Sequence, residues 1–300
     1  MSDWFPGFVL ERRRIGGVEL NLRHNLHDAV GRPPLLLLHG FPQTHVMWHR
    51  VAPQLSARFA LVLPDLRGYG DSAKPPSDAT HAAYSKRAMA NDLVGLMGTL
   101  GFDRFAVCGH DRGGRVAHRM TLDHPGSVGR LMLLDISPTL TMYQRTDMEF
   151  ARAYYHWFFL IQPEPLPERL IGADPVFYLR KKLGGWGSHG LDIFDAQALS
   201  EYERCISDPA TIHAMCEDYR AAATIDLEQD RAHPAARIGC PLRILWGERG
   251  VVQRLFTPIA DWQEKSSGAV SGRTTPGGHY IPEETPDLLV AEMLQFFGGD

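Results

Sequence analysis

The chain has 300 residues, 44% of them hydrophobic, and a formal net charge of −4. Such a chain can bury a large core, and its mild negative charge gives no basic field that would attract nucleic acid. No apolar run approaches the ~20 residues needed to span a bilayer. Met1-Ser2-Asp3-Trp4 begins no export signal, and the four cysteines form no CxxC pair. The expectation is a cytoplasmic protein with reduced thiols and with neither nucleic-acid nor membrane partners.

In chain order, residues 9–14 and 18–23 predict an opening hairpin around Gly16-Gly17. Residues 34–38, 60–63, 105–108 and 131–134 are nearly continuous apolar runs, the pattern of parallel strands buried on both faces. Helical spacing at 85–100 and 113–124 falls between them, so the first half reads as a doubly wound α/β sheet. From Thr139 to Ala236 the pattern changes to helical periods rich in Tyr, Trp and Phe and broken by Pro163, Pro165, Pro167 and Pro175. A helical cap over 139–236, inserted into a core made of 1–138 and 237–300, is the predicted organisation, with one helix of the cap at 211–227. Strand patterns resume at 242–246 and 269–275, with helices at 257–266 and 286–297.

One motif in this frame carries chemistry. Gly109-His110-Asp111-Arg112-Gly113 follows an apolar strand and precedes a helix, the context of a G-x-S-x-G nucleophile elbow, but aspartate replaces the serine. A carboxylate is a weak nucleophile toward acyl carbon. It can displace a leaving group from saturated carbon, forming an ester of Asp111 that water must then open, so the motif points to a carbon–halogen or epoxide substrate.

Four motifs in order resemble the α/β-hydrolases along essentially the whole chain: His39-Gly40-Phe41-Pro42-Gln43, Asp65-Leu66-Arg67-Gly68-Tyr69-Gly70-Asp71-Ser72, the aspartate elbow, and Gly277-Gly278-His279-Tyr280. Within that fold the run from Asp111 to Arg119 and the segment Tyr154-Tyr155-His156-Trp157-Phe158-Phe159 resemble the fluoroacetate dehalogenases. The resemblance implies a mostly parallel eight-stranded sheet flanked by helices, with an inserted helical cap, and suggests a homodimer.

Opening the ester needs a base that titrates near neutral pH, and His279 fits. Its acidic partner is either Asp135, after the strand at 131–134, or Glu248, after the strand at 242–246; the resemblance favours Asp135. The backbone N–H groups of Phe41 and Arg112 are the natural oxyanion donors. Arg112 and Arg115 lie three residues apart beside the nucleophile. A substrate carboxylate ~4 Å from Asp111 would meet repulsion of ~4 kcal/mol at an effective dielectric near 20, and the two arginines reverse that sign and pair with it. His156 and Trp157 offer compact N–H donors for a departing halide, and the resemblance adds Tyr219. Trp186, in Gly184-Gly185-Trp186-Gly187, is a further pocket candidate. His39, His110 and the 65–72 loop read as structural.

No metal-ligand spacing and no phosphate or dinucleotide loop is present, so the expected reaction uses water and no cofactor or metal. The expected reaction is hydrolytic dehalogenation of 2-haloacetates, fluoroacetate and water to glycolate and fluoride, through the ester of Asp111. A soluble epoxide hydrolase would share the elbow and the capped fold, but two arginines beside a neutral epoxide would leave charge unpaired; a haloalkane dehalogenase meets the same objection. A non-catalytic ligand-binding homologue is disfavoured by the retained nucleophile, base and acid.

Overall fold

In the computed structural model, which describes residues 4–298, eight strands form one sheet in the order β1-β2-β4-β3-β5-β6-β7-β8. β1 (Val9–Ile15) and β2 (Val18–His24) form an antiparallel hairpin, and β2 joins β4 antiparallel. The rest are parallel: β3 (Pro34–Leu38), β4 (Ala60–Pro64), β5 (Phe105–His110), β6 (Val128–Leu134), β7 (Leu242–Gly247) and β8 (Val270–Thr275). β3 and β4 show why the apolar runs locate the sheet: Leu35 to Leu38 and Leu61 to Leu63 are all buried, because helices cover both faces of a parallel sheet.

Helix α1 (Ala52–Leu55) precedes β4, α2 (Lys86–Thr99) precedes β5, and α3 (Asp111–Asp123) leaves β5 directly. Ser85 caps α2 by accepting the Ala88 N–H. Between β6 and β7 lie eight helices: α4 (Thr139–Gln144), α5 (Met148–Ala153), α6 (Tyr155–Phe159), α7 (Leu166–Ala173), α8 (Pro175–Leu183), α9 (Ala196–Ile206), α10 (Pro209–Ala223) and α11 (Ile225–Ala232). After β7 come α12 (Val251–Leu255), α13 (Pro258–Gln263), α14 (Ile281–Glu284) and α15 (Pro286–Phe297).

The single helix expected over 211–227 is two. Thr224 breaks it with φ −122°, and its hydroxyl bonds back to the Arg220 carbonyl at 2.7 Å, a local alternative to helical pairing. The helix expected over 257–266 closes at Gln263, and Ser266 instead bridges Ile238 in parallel. One contiguous apolar core runs through the sheet layers into the inserted helices, from Leu35 and Leu133 to Trp157, Leu179 and Tyr219. Cys108, Cys205, Cys216 and Cys240 are all free thiols. Among the described residues no helix is long and apolar enough to cross a membrane.

Candidate active site

The site gathers at the carboxyl ends of the parallel strands, where loops of an open α/β sheet converge. Asp111 stands between β5 and α3 at φ +43°, and close approach there requires glycine. A Cβ on Gly40 would come within 2.6 Å of the Asp111 Cβ, and one on Gly109 within 2.7 Å of the Gly113 carbonyl. The Phe41 N–H donates to Asp111 Oδ2 at 3.0 Å. The Arg112 N–H, expected as the second oxyanion donor, lies in the first turn of α3 and makes no hydrogen bond to the carboxylate. Burial alone would raise the Asp111 carboxyl, but the charges of His279 and Arg115 hold it below its ordinary value. A buried carboxylate is thus kept ionised.

His279 reaches this corner on the loop between β8 and α14. Its Nδ1 lies 2.6 Å from Asp135 Oδ2, while Asp135 Oδ1 accepts the Gly247 N–H at 3.0 Å. Burial opposes the imidazolium, yet the Asp135 hydrogen bond and charge raise the His279 pKa above its usual value. Nε2 is left without a partner, the position a base needs. Glu248 is exposed and lies near Arg249, so of the two acidic candidates the structure brings Asp135 to the imidazole. His110 packs on the same ring at 4.5 Å and, pushed down by burial to about 3, is neutral. His39 accepts the Leu66 N–H at 2.9 Å.

The two arginines are both buried, and their bonds differ from the expected fork. Arg112 Nε and Nη2 hold the Asp218 carboxylate at 2.8 and 2.7 Å, leaving Nη1 unpartnered. Arg115 Nη1 donates to the Ser137 carbonyl and Thr139 Oγ1, and Nη2 lies 3.3 Å from Met142 Sδ, leaving Nε unpartnered. Neither guanidinium can therefore offer its full fork to one carboxylate; each retains one nitrogen. The argument from unpaired charge also narrows to Arg115, because Asp218 neutralises Arg112.

Asp218 was invisible as a partner in the sequence. It accepts the Tyr69 hydroxyl at 2.6 Å and the Lys86 ammonium, which also lies 3.6 Å from Asp226. Lys86 and Arg112 from the sheet layers, and Asp218 and Asp226 from the inserted helices, thus make a buried four-charge cluster. The one available hint is that Asp218 immediately precedes Tyr219.

The aromatic residues expected around a leaving group do meet. His156 stacks on Phe41 at 5.6 Å and lies 5.5 Å from Tyr219, whose ring sits 4.2 Å from the Arg112 guanidinium. Trp157 lies under Arg115 at 4.7 Å. Trp186 joins them, 4.7 Å from His156 and 5.1 Å from His279, with its indole N–H on the Ala153 carbonyl. Burial keeps His156 well below its usual pKa, so the ring is neutral. Its Nδ1 and the Tyr219 hydroxyl have no partner. Among the described residues, no group of His, Cys, Asp and Glu could hold a metal ion.

An elbow carrying a buried carboxylate, an acid–histidine pair and a facing N–H on this sheet define the class. Residues 33–282 match the α/β-hydrolase fold family, and the chain belongs to it. More narrowly, the chain is 47% identical to a fluoroacetate dehalogenase from Burkholderia sp. over 294 residues, 97% of this chain and 94% of that protein. It is 33% identical to a soluble epoxide hydrolase from Corynebacterium sp. (strain C12), covering 88% of this chain and 90% of that one. An α/β-hydrolase structure from Nostoc sp. PCC 7120 superposes with a TM-score of 0.95 at 52% identity, covering 99% of this chain and 100% of that chain. The chain is accordingly a hydrolase, homologous to a dehalogenase at higher identity than to the Corynebacterium epoxide hydrolase.

Proposed function

We propose that the protein hydrolyses small 2-haloacids, converting fluoroacetate and water to glycolate, fluoride and a proton, through an ester of Asp111. One observation carries the reading. Arg112 Nη1, Arg115 Nε, His156 Nδ1, Tyr219 OH and His279 Nε2 are all buried without a hydrogen-bond partner, around an ionised carboxylate. Orphaned buried polar groups are costly, and Arg112 Nη1, Arg115 Nε and Tyr219 OH among them are donors, so the site suits an anionic, hydrogen-bonding ligand.

With Oδ2 held by Phe41, Asp111 Oδ1 attacks the halogen-bearing carbon. The new C–O bond forms as the carbon–halogen bond breaks, and the electron pair leaves with the halide. Arg112 and Arg115, giving one nitrogen each, bridge the substrate carboxylate and aim its α-carbon. His156, Trp157 and Tyr219 surround the departing halide; fluoride, small and strongly hydrogen-bonding, gains most from such donors. Water then gives its proton to His279 Nε2 and attacks the Asp111 carboxyl carbon, while Asp135 stabilises the imidazolium and the Phe41 N–H the developing oxyanion. The adduct collapses with cleavage of the bond from the Asp111 carboxyl carbon to the substrate oxygen, the imidazolium gives its proton to that departing oxygen, and the 2-hydroxy acid leaves; Asp111 keeps one oxygen from water and sheds the remaining proton. The helices over 139–236 act as the cap that excludes bulk water.

The reading is tested with His279→Asn and fluoroacetate. The first step needs no base, so the variant should release about one fluoride per enzyme and carry a carboxymethyl group on Asp111 by peptide mass spectrometry. Continuous turnover, or fluoride without the adduct, overturns the ester mechanism. A second reading, epoxide hydrolysis, is favoured by the unpartnered Tyr219 hydroxyl, which can protonate an epoxide oxygen. Wild-type protein offered a neutral epoxide beside fluoroacetate separates the two.

A further inference from the structure

A further buried cationic side chain lies beyond the residues placed at the site. The last turn of α8 carries Arg180, Lys181 and Lys182. Arg180 pairs with Glu203 and Lys181 is exposed, which suffices to complement the helix C-terminus. Lys182 instead turns inward and is 3% exposed. Its ammonium lies 3.5 Å from the centre of the Tyr155 ring, 5.4 Å from Tyr178 and 5.6 Å from Trp186, and makes no ion pair or hydrogen bond among the described residues. Burial pulls its pKa down to about 7, with Lys181 adding to the effect. Ring faces attract the cation but accept no ordinary hydrogen bond, and Nζ itself keeps a narrow contact with solvent. A methionine would pack there without placing an unpaired charge among rings, so a cation at this point suits an anionic ligand.

Its position says which ligand. On the inner side Trp186 touches His156 and His279. On the outer side Tyr155 is 45% exposed, and Tyr155 and Tyr178 both line a surface groove of about 260 Å³. Lys182 thus stands between the catalytic rings and solvent, and its charge is felt at His156.

We propose that Lys182 and its aromatic cage form a transit site for small monovalent anions, bound between the surface groove and Asp111. The inference rests on the haloacid reading for its natural ligands, the substrate carboxylate entering or the halide leaving. The partner chemistry is a single negative charge of few atoms; Tyr155, Tyr178 and Trp186 leave no second cation for a larger or doubly charged anion.

The test compares wild type, Lys182→Met and Lys182→Arg by bromide titration followed through tryptophan fluorescence, which needs no turnover. Lys182→Met should weaken bromide binding about tenfold, equivalent to about 1.4 kcal/mol, and Lys182→Arg should restore it. Lys182→Met should also melt at or above the wild-type temperature, since a charge without an ion pair is removed from among three rings. Superimposable titrations overturn the proposal, as does a lower melting temperature with unchanged bromide binding, which assigns Lys182 to packing. If Lys182→Met does not fold, Tyr155→Leu opens the cage from its half-exposed side. It should weaken bromide binding likewise, and an unaltered titration refutes the site. Fluoroacetate kinetics separate the two ligand sources: a raised KM at constant kcat marks substrate entry, and a lowered kcat with altered fluoride inhibition marks halide exit. Bromide binding lost in the variant while wild type releases no halide from any haloacid would sink the haloacid reading and leave the anion site standing.

Discussion

Asp218→Asn tests whether Arg112 acts by charge or by position. The Asp218 carboxylate is fully buried and takes hydrogen bonds from Arg112 Nε at 2.8 Å, Arg112 Nη2 at 2.7 Å and Tyr69 at 2.6 Å, besides the Lys86 ammonium. Asparagine keeps one acceptor and turns an NH₂ toward donors, leaving Lys86 and Arg112 facing Asp226 alone. Removing one partner of a buried ion cluster costs about 3–5 kcal/mol. At roughly 2–4 °C per kcal/mol for a chain this large, the melting temperature should fall by roughly 6–20 °C. The cluster also gains one positive charge. If Arg112 served only as charge, an anionic substrate would bind more tightly; if Arg112 Nη1 must point at the carboxylate, KM should rise about tenfold or more while kcat falls less. The second outcome is expected, read from initial fluoride release and calorimetry on one preparation. An unchanged melting temperature with an unchanged or lower KM would refute the positioning argument. Burial would raise the Asp218 carboxyl, but Arg112 and Lys86 hold it far below its usual range. Its contribution to stability is therefore present above the unfolded carboxyl's pKa of about 3.9 and lost as pH falls below it, and the variant should lack this acid-dependent component.

Arg115→Lys keeps a charge but removes the unpartnered Nε, so KM for fluoroacetate should rise about tenfold, and an unchanged KM would show that charge alone suffices. Because His279 titrates above its usual value, activity should rise with pH through a limb displaced upward from about 6.5; Asp135→Asn should move that limb down and slow ester opening by about 10⁴-fold, as read from pH–rate profiles and single turnovers. Glu283, buried against Tyr202 and Gln43, is pushed up to about 8 by burial. It stays protonated in the folded chain while ionising in the unfolded one, so stability drains as pH rises from about 4.5 toward 8. Glu283→Gln should raise the melting temperature at pH 8 and barely change it at pH 4; equal effects at both would contradict the assignment.

The strands were legible because both faces of this sheet are covered, so Leu35 to Leu38 and Leu131 to Leu134 could afford no polar alternation. Asp111 and His279 were legible for a related reason: a glycine-flanked aspartate and a histidine on a glycine-rich loop are local patterns, and the sheet brings them together. The break at Thr224 was not legible, since neither glycine nor proline marks it and the cause is one hydroxyl bonding back to its own helix. Asp218 was hidden more deeply. Its partners lie 106 and 132 residues away, and nothing local distinguishes a buried aspartate in α10 from a solvated one. The arginines were found by their spacing, but which of their nitrogens were occupied depended on those distant partners.

The buried charge cluster bears on how such an enzyme could be rebuilt. Lys86 and Arg112 are carried by α2 and α3, whereas Asp218 and Asp226 arrive with the inserted helices. Grafting a foreign helical segment between β6 and β7, the obvious route to a new substrate range, would withdraw both carboxylates and strand two cations in the interior. The inserted helices are therefore not an interchangeable module. A successful chimera has to import an acidic pair in register with Lys86 and Arg112, or replace those two cations at the same time.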